Sequence, residues 1–230
     1  MMIVRVPPIL LALLFIAPLA TAQTAAGKFE TTFQNDLVVV HGAELRAHQS
    51  SPNVESAHDT FWIALNEGTL SFVAGNSAHT DVQFATGDTR FFPSFDVNSV
   101  SNVGQSPLGI VLIALKPRAL IGNACDCSGA SAKFVCGCKG ATHLEHLWAL
   151  GLGNVTLAGS MLAAGESFRS APERDDMLLV AVTNLELQDE ALEIDKPITL
   201  NAGEATWIRS GRHQFKNIGA APARFVTVEF

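Results

Sequence analysis

The chain repeats itself. Residues 37–59 align with 154–176 at an offset of 117, matching Val38 with Val155, Gly42 with Gly159, Leu45 with Leu162, Ala47 with Ala164, Ser50 with Ser167 and Asp59 with Asp176. One deletion later, "DVQFATGD" falls on "PITLNAGE", so Gly87 pairs with Gly203. After one more, "SNVGQSPLGIVLIAL" falls on "KNIGAAPARFVTVEF", pairing Asn102 with Asn217, Gly104 with Gly219 and Pro107 with Pro222. A collinear repeat of this length requires two copies of one module, each closing its own core, at about 28–116 and 140–230.

Charge separates the same parts. The first copy carries 4 basic and 9 acidic side chains, the second 7 and 12, and residues 117–139 carry 3 and 1. That small-residue-rich middle stretch reads as a linker. A net charge of −7 and 48% hydrophobic residues argue against a disordered chain and against a nucleic-acid surface built on a basic stripe. Ahead of the repeats, Arg5 precedes an apolar run from Ile9 to Ala20, and Ala20-Thr21-Ala22 offers small residues for cleavage. Residues 1–22 therefore read as a secretory signal peptide, the mature chain being periplasmic or extracellular and free of the membrane after cleavage.

Within each copy, short β-branched or aromatic runs alternate with turn signals. "FWIAL", "TLSFV", "DTRFF" and "GIVLIAL" are separated by "NEG", "AGNS", "ATGD" and "NVGQSP", and the second copy answers with "MLLVAV", "PITL", "ATWI" and "ARFVTVEF". This spacing predicts an all-β chain of two small antiparallel barrels or jelly rolls. Only "HLEHLWAL" (143–150) reads as a helical turn.

The segment "GEATWIRSGRHQFKN" resembles the second conserved motif of the cupins: Gly203, Gly211, His213 and Asn217 match it, Arg209 stands at its proline, and one residue is missing before His213. The first copy keeps the spacing with Gly87, Pro93 and Asn102 but carries Phe95 for the second glycine and Asn98 for the histidine. The chain thus resembles a bicupin, which implies two tandem double-stranded β-helix barrels and a homodimer in the family's manner. Family barrels often hold a divalent metal on two histidines and a glutamate of a first motif and one histidine of the second. Ahead of "FWIALNEG" this sequence offers His48, Glu55, His58 and Asp59 with no His-x-His pair; ahead of "MLLVAV" it offers Glu166, Glu173, Asp175 and Asp176 with no histidine. No metal cofactor is therefore expected; the residues left to hold one are His213 with Glu173 or Asp175.

The expected function is metal-independent binding of a small molecule, a sugar or a carboxylate, in the second barrel around His213, Arg209, Trp207, Glu173 and Phe215. His213 reads either as a ligand or acid/base group in a pocket, or as a buried histidine bonded by Asn217 or a backbone carbonyl. Trp207 and Arg209 share a face and suit a sugar ring or a carboxylate, or else a core tryptophan beside a solvated arginine. In the first barrel, Asn98, Phe95, Trp62 and His58 line the equivalent space, which reads as structural. The alternatives are a metal-dependent isomerase or dioxygenase, and a structural or partner-binding protein; no nucleophile elbow, phosphate loop, HExxH or EF-hand signature assigns a reaction. In "CDCSGASAKFVCGC" the even count in an oxidising compartment suggests disulfides, with Cys125 to Cys138 and Cys127 to Cys136 forming a hairpin. Linking each cysteine to its near neighbour would strain a one-residue loop. The rival reading is a four-thiolate metal site, with His143 and His146 nearby.

Overall fold

The computed structural model describes residues 27–74, 79–94, 97–116, 143–144, 147–152, 155–169, 176–191 and 197–230. Residues 1–22, read as a signal peptide from the sequence, and the four cysteines, Phe95, Glu173, Asp175 and His146 lie outside the described residues. The first module contains β1 (Glu30–Gln34), β2 (Val38–Leu45), β3 (Ser50–Pro52), β4 (Asp59–Ala64), β5 (Gly68–Val73), β6 (His79–Phe84), β7 (Thr89–Phe92), β8 (Ser99–Asn102) and β9 (Leu108–Leu115). The second contains β10 (His143–Leu144), β11 (Leu147–Leu152), β12 (Val155–Leu162), β13 (Ser167–Arg169), β14 (Met177–Ala181), β15 (Leu185–Asp189), β16 (Ile198–Leu200), β17 (Ala205–Ile208), β18 (Gln214–Asn217) and β19 (Ala223–Glu229). All strand pairing is antiparallel, and each module forms a jelly-roll barrel from two sheets: β1-β2-β9-β4-β7 with β3-β8-β5-β6, and β10-β11-β12-β19-β14-β17 with β13-β18-β15-β16.

In its described residues, 143–144 and 147–150, the segment expected to make a helical turn is instead extended. Its residues form β10 and most of β11, which pairs with β12 in register from Leu147 opposite Ser160 to Leu152 opposite Val155. β11 occupies the place that β1 holds beside β2 in the first module. Ladder bonds to a long neighbouring strand outweigh a short helical spacing that has no cap and too few turns to be stable alone.

The large sheets are buried on both faces, and this accounts for their unbroken apolar runs. Along β4 and β9, Phe61, Ile63, Val111 and Ile113 point toward the other module, while Trp62, Ala64, Ile110 and Leu112 point into their own barrel. Val180, Val226 and Val228 meet the first set from the second module, so the two large sheets pack face to face around one shared core. Each barrel interior is itself filled. Phe29, Phe72 and Phe92 pack on Trp62 in the first, with Phe84 behind Phe72, and Leu179, Leu187, Phe215 and Phe225 close the second.

The repeat extends to side-chain hydrogen bonds. Asn102 Nδ2 donates to the Leu45 and Ser106 carbonyls while Oδ1 accepts from Gly104 N; Asn217 does the same with Leu162, Ala221 and Gly219. Gln49 and Glu166 each accept from a backbone N–H three residues back, at 2.8 and 2.7 Å. Asp59 and Asp176 each accept from the serine that follows β7 or β17. The motif asparagines therefore tie turns to strands and face no open site.

Candidate functional site

The cupin-like motif forms the β17–β18 corner at the mouth of the second barrel. Gly211 has φ +152°, a conformation that side chains rarely adopt, and a Cβ there would lie 3.7 Å from His213 Nε2. The corner turns His213 inward, where it is 2% exposed and stacks on Phe215 with an interplanar angle of 2°. Its Nε2 lies 2.8 Å from the Arg209 carbonyl, and its Nδ1 lies 2.6 Å from Asp189 Oδ2. Asp189, at the end of β15, is 7% exposed; its Oδ1 accepts from the backbone N–H groups of Gln214 and Ala191. Every polar atom of this pair is thus satisfied inside the barrel, as burial of a charged group requires.

The other residues of the corner diverge from His213. Trp207 faces out of its barrel and stacks between Phe33 of the first module, at 6.1 Å, and Phe230, at 5.4 Å. Its Nε1 donates to Asp176 Oδ2, which also receives Arg209 at 3.2 Å, while Asp176 Oδ1 accepts from Ser210 N. The Trp207 bond, then the Ser210 amide and the Arg209 charge, hold the Asp176 carboxyl below its ordinary value. The Arg209 side chain is 85% exposed, and Arg212, on the other side of Gly211, is exposed as well. Phe215 belongs to the barrel core.

Known structures share this architecture at low identity. AerE from Microcystis aeruginosa superposes with a TM-score of 0.64 at 11% identity, covering 90% of this chain and 94% of that one. A cupin 2 conserved barrel domain protein from Leptotrichia buccalis gives 0.53 at 12%, covering 91% of each chain. A variant of the Bacillus subtilis oxalate decarboxylase gives 0.57 at 9%, over 88% of this chain and 72% of that one. The fold is that of two tandem cupin barrels. No family model and no curated protein sequence matches the chain.

The residues around His213 do not fit the divalent metal that barrels of this fold often hold. A metal takes an imidazole through a bare nitrogen lone pair. A carbonyl can only accept, so Nε2 of His213 carries a proton toward Arg209, and Nδ1 is engaged by Asp189. Among the described residues no three His, Cys, Asp or Glu side chains converge as a metal site requires.

In the first barrel, Asn98 spends its backbone groups on Val73 and Asn53, and Trp62 is fully buried with Nε1 donating to Thr60. His58 joins a cluster that the sequence reading missed. His41 on β2 contacts Glu55 Oε1 at 2.8 Å through Nε2, while His58 Nδ1 lies 2.9 Å from Glu55 Oε2, off the line of a hydrogen bond. Thr31 holds Nδ1 of His41 at 3.2 Å. His41 shares the barrel-facing parity of Val39 and Leu45, which was the signal available for it; its repeat mate is Ala158, so the cluster belongs to one copy only.

Proposed function

We propose that this bicupin is an exported, metal-independent binding protein for a small carboxylate, seated at the rim of the second barrel. The observation that carries this reading is the corner at 209–212: two exposed arginines, Arg209 and Arg212, stand on either side of Gly211 in the turn that leads to a histidine whose ring nitrogens are already engaged. Arginine forks match carboxylates bidentately, and Asp176 orients one of them without burying it. The filled barrel supports rim binding over binding in the interior. Trp207 is committed to the contact between modules, which favours a carboxylate over a stacked sugar ring. The resemblance to a protein named oxalate decarboxylase, whose substrate is itself a dicarboxylate, is consistent with this class.

The test is calorimetry of the mature protein, expressed with its leader and treated with chelator, against oxalate, malonate, uronic acids and the matching neutral sugars. Saturable heat from a carboxylate that vanishes in Arg209→Ala/Arg212→Ala, with an unchanged circular dichroism spectrum, supports the reading. Binding only after divalent metal is restored would overturn it.

A further inference from the structure

The turn between β3 and β4 is tied down in the first copy by a cluster that the second copy lacks. Glu55 in this turn meets His41 Nε2 of β2 at 2.8 Å through Oε1, and its Oε2 lies 2.9 Å from His58 Nδ1. The repeat mates of His41, Glu55 and His58 are Ala158, Pro172 and Asp175, so none of the three is kept. The same turn holds the β7–β8 corner, the first module's counterpart of the corner that leads to His213. Asn53 N donates to the Asn98 carbonyl at 2.8 Å, Asn53 Nδ2 donates to the Val97 carbonyl at 3.0 Å, and Asn53 Oδ1 accepts from Glu55 N at 3.1 Å. One carboxylate thereby links β2, the turn and the mouth of the first barrel.

The two histidines are not equivalent. The Nδ1 of His41 lies 3.2 Å from Thr31 Oγ1 on β1. When His41 is neutral, Nε2–H donates to Glu55 and Nδ1 accepts from the Thr31 hydroxyl; when it is charged, the hydroxyl turns round and accepts instead. His41 is therefore bonded in either state. His58 is not: its Nδ1 is buried without a hydrogen-bond partner, while the side chain as a whole is 32% exposed and open to protons from solvent. A bare Nδ1 sets its lone pair against the carboxylate. A proton there, with a small turn of the ring, makes a charge-assisted bond roughly twice as strong as a neutral one. The other ionisable groups on the strands packed around the cluster are committed elsewhere. Glu30 of β1 pairs with Lys28 at 3.3 Å, Asp59 of β4 accepts from Ser94 N, and Glu44 of β2 stands on the opposite face of its strand from His41. β3, β8 and residues 97–98 carry no charged side chain.

We infer that the 53–58 turn is a proton-controlled latch on the mouth of the first barrel, closed when His58 carries a proton and loosened when it does not. The proton is the ligand, Glu55 is the keeper that receives it from both sides, and Asn53 passes the closure on to the β7–β8 corner. The sign follows from the charges: the added bond is present at the acid side of the histidine range and is lost as pH rises through that range. The inference is independent of the carboxylate site at 209–212.

The experiment is amide hydrogen exchange of the ¹⁵N-labelled full chain at pH 5.5 and pH 8, read as protection factors so that the intrinsic pH dependence of exchange divides out. The amides of residues 53, 55 and 58, which are bonded within the turn or across it, should be about tenfold better protected at the lower pH, while Val111 and Ile113 in the core change together and by less. His58→Gln, which cannot titrate, and Glu55→Gln, which removes the charge but keeps an acceptor for His41, should each flatten the difference to under about twofold. The wild-type comparison stands even where a variant fails to fold. Protection at 53, 55 and 58 that ignores pH, that falls on acidification, or that responds in His58→Gln as in the wild type overturns the inference.

Discussion

Replacing His213 by alanine tests whether this histidine is a part of the fold or a ligand held in reserve. The side chain is 2% exposed, stacks on Phe215, and joins the 7% exposed Asp189 to the Arg209 carbonyl. Removing it leaves a buried carboxylate without its partner and a carbonyl without a donor. Breaking one half of a buried pair costs about 3–5 kcal/mol, a large share of the roughly 5–15 kcal/mol that holds a domain folded. Asp189→Ala removes the other half and also frees the Gln214 and Ala191 amides, so its cost falls in the same range of about 3–5 kcal/mol. The double variant should then cost less than the sum by about 2 kcal/mol, because the second loss no longer strands a charge. Urea unfolding followed by tryptophan fluorescence measures all three variants. A loss below about 1 kcal/mol in His213→Ala, or strict additivity in the cycle, would refute the reasoning.

Three further outcomes follow from the same geometry. His48 sits at φ +59° in the turn where the second copy has Gly165 at +80°, so His48→Gly should stabilise the protein by about 1 kcal/mol, read from the urea midpoint. Asp176 has a carboxyl pKa depressed below its ordinary 3.8, so it contributes stability above that pH which is lost as pH falls through the lower folded value. The melting-temperature gap between wild type and Asp176→Asn should accordingly be widest near neutrality and narrow below about pH 4. Ile113 is fully buried between the two large sheets, so Ile113→Ala should cost about 2–5 kcal/mol and, by calorimetry, lower the melting of both modules together.

Much of the fold was legible because the repeat is collinear and the strand signals are local. The motif spacing placed the β17–β18 corner and the inward direction of His213, since both depend on residues close in sequence. What stayed hidden depends on contacts across the chain. The helical spacing at 143–150 was overruled by pairing with β12, and Trp207, packed on the core beside an exposed Arg209 as one reading had it, stacks on a Phe33 more than a hundred residues earlier that no local signal names. The His41, Glu55 and His58 cluster needs β2 to lie beside the 53–58 turn, and Asp189 reaches His213 from β15. The two large sheets looked like ordinary buried strands, and nothing local said that their second faces were buried against each other.

The account rests on His213 being held by hydrogen bonds and not by a metal. The most direct measurement is the imidazole ¹⁵N spectrum of the chelator-treated protein, assigned by comparison with His213→Ala, before and after one equivalent of zinc or manganese. The account predicts a protonated Nε2 in His213 and ring signals that zinc and manganese leave unmoved. A bare Nε2 that shifts or broadens with stoichiometric metal would contradict it.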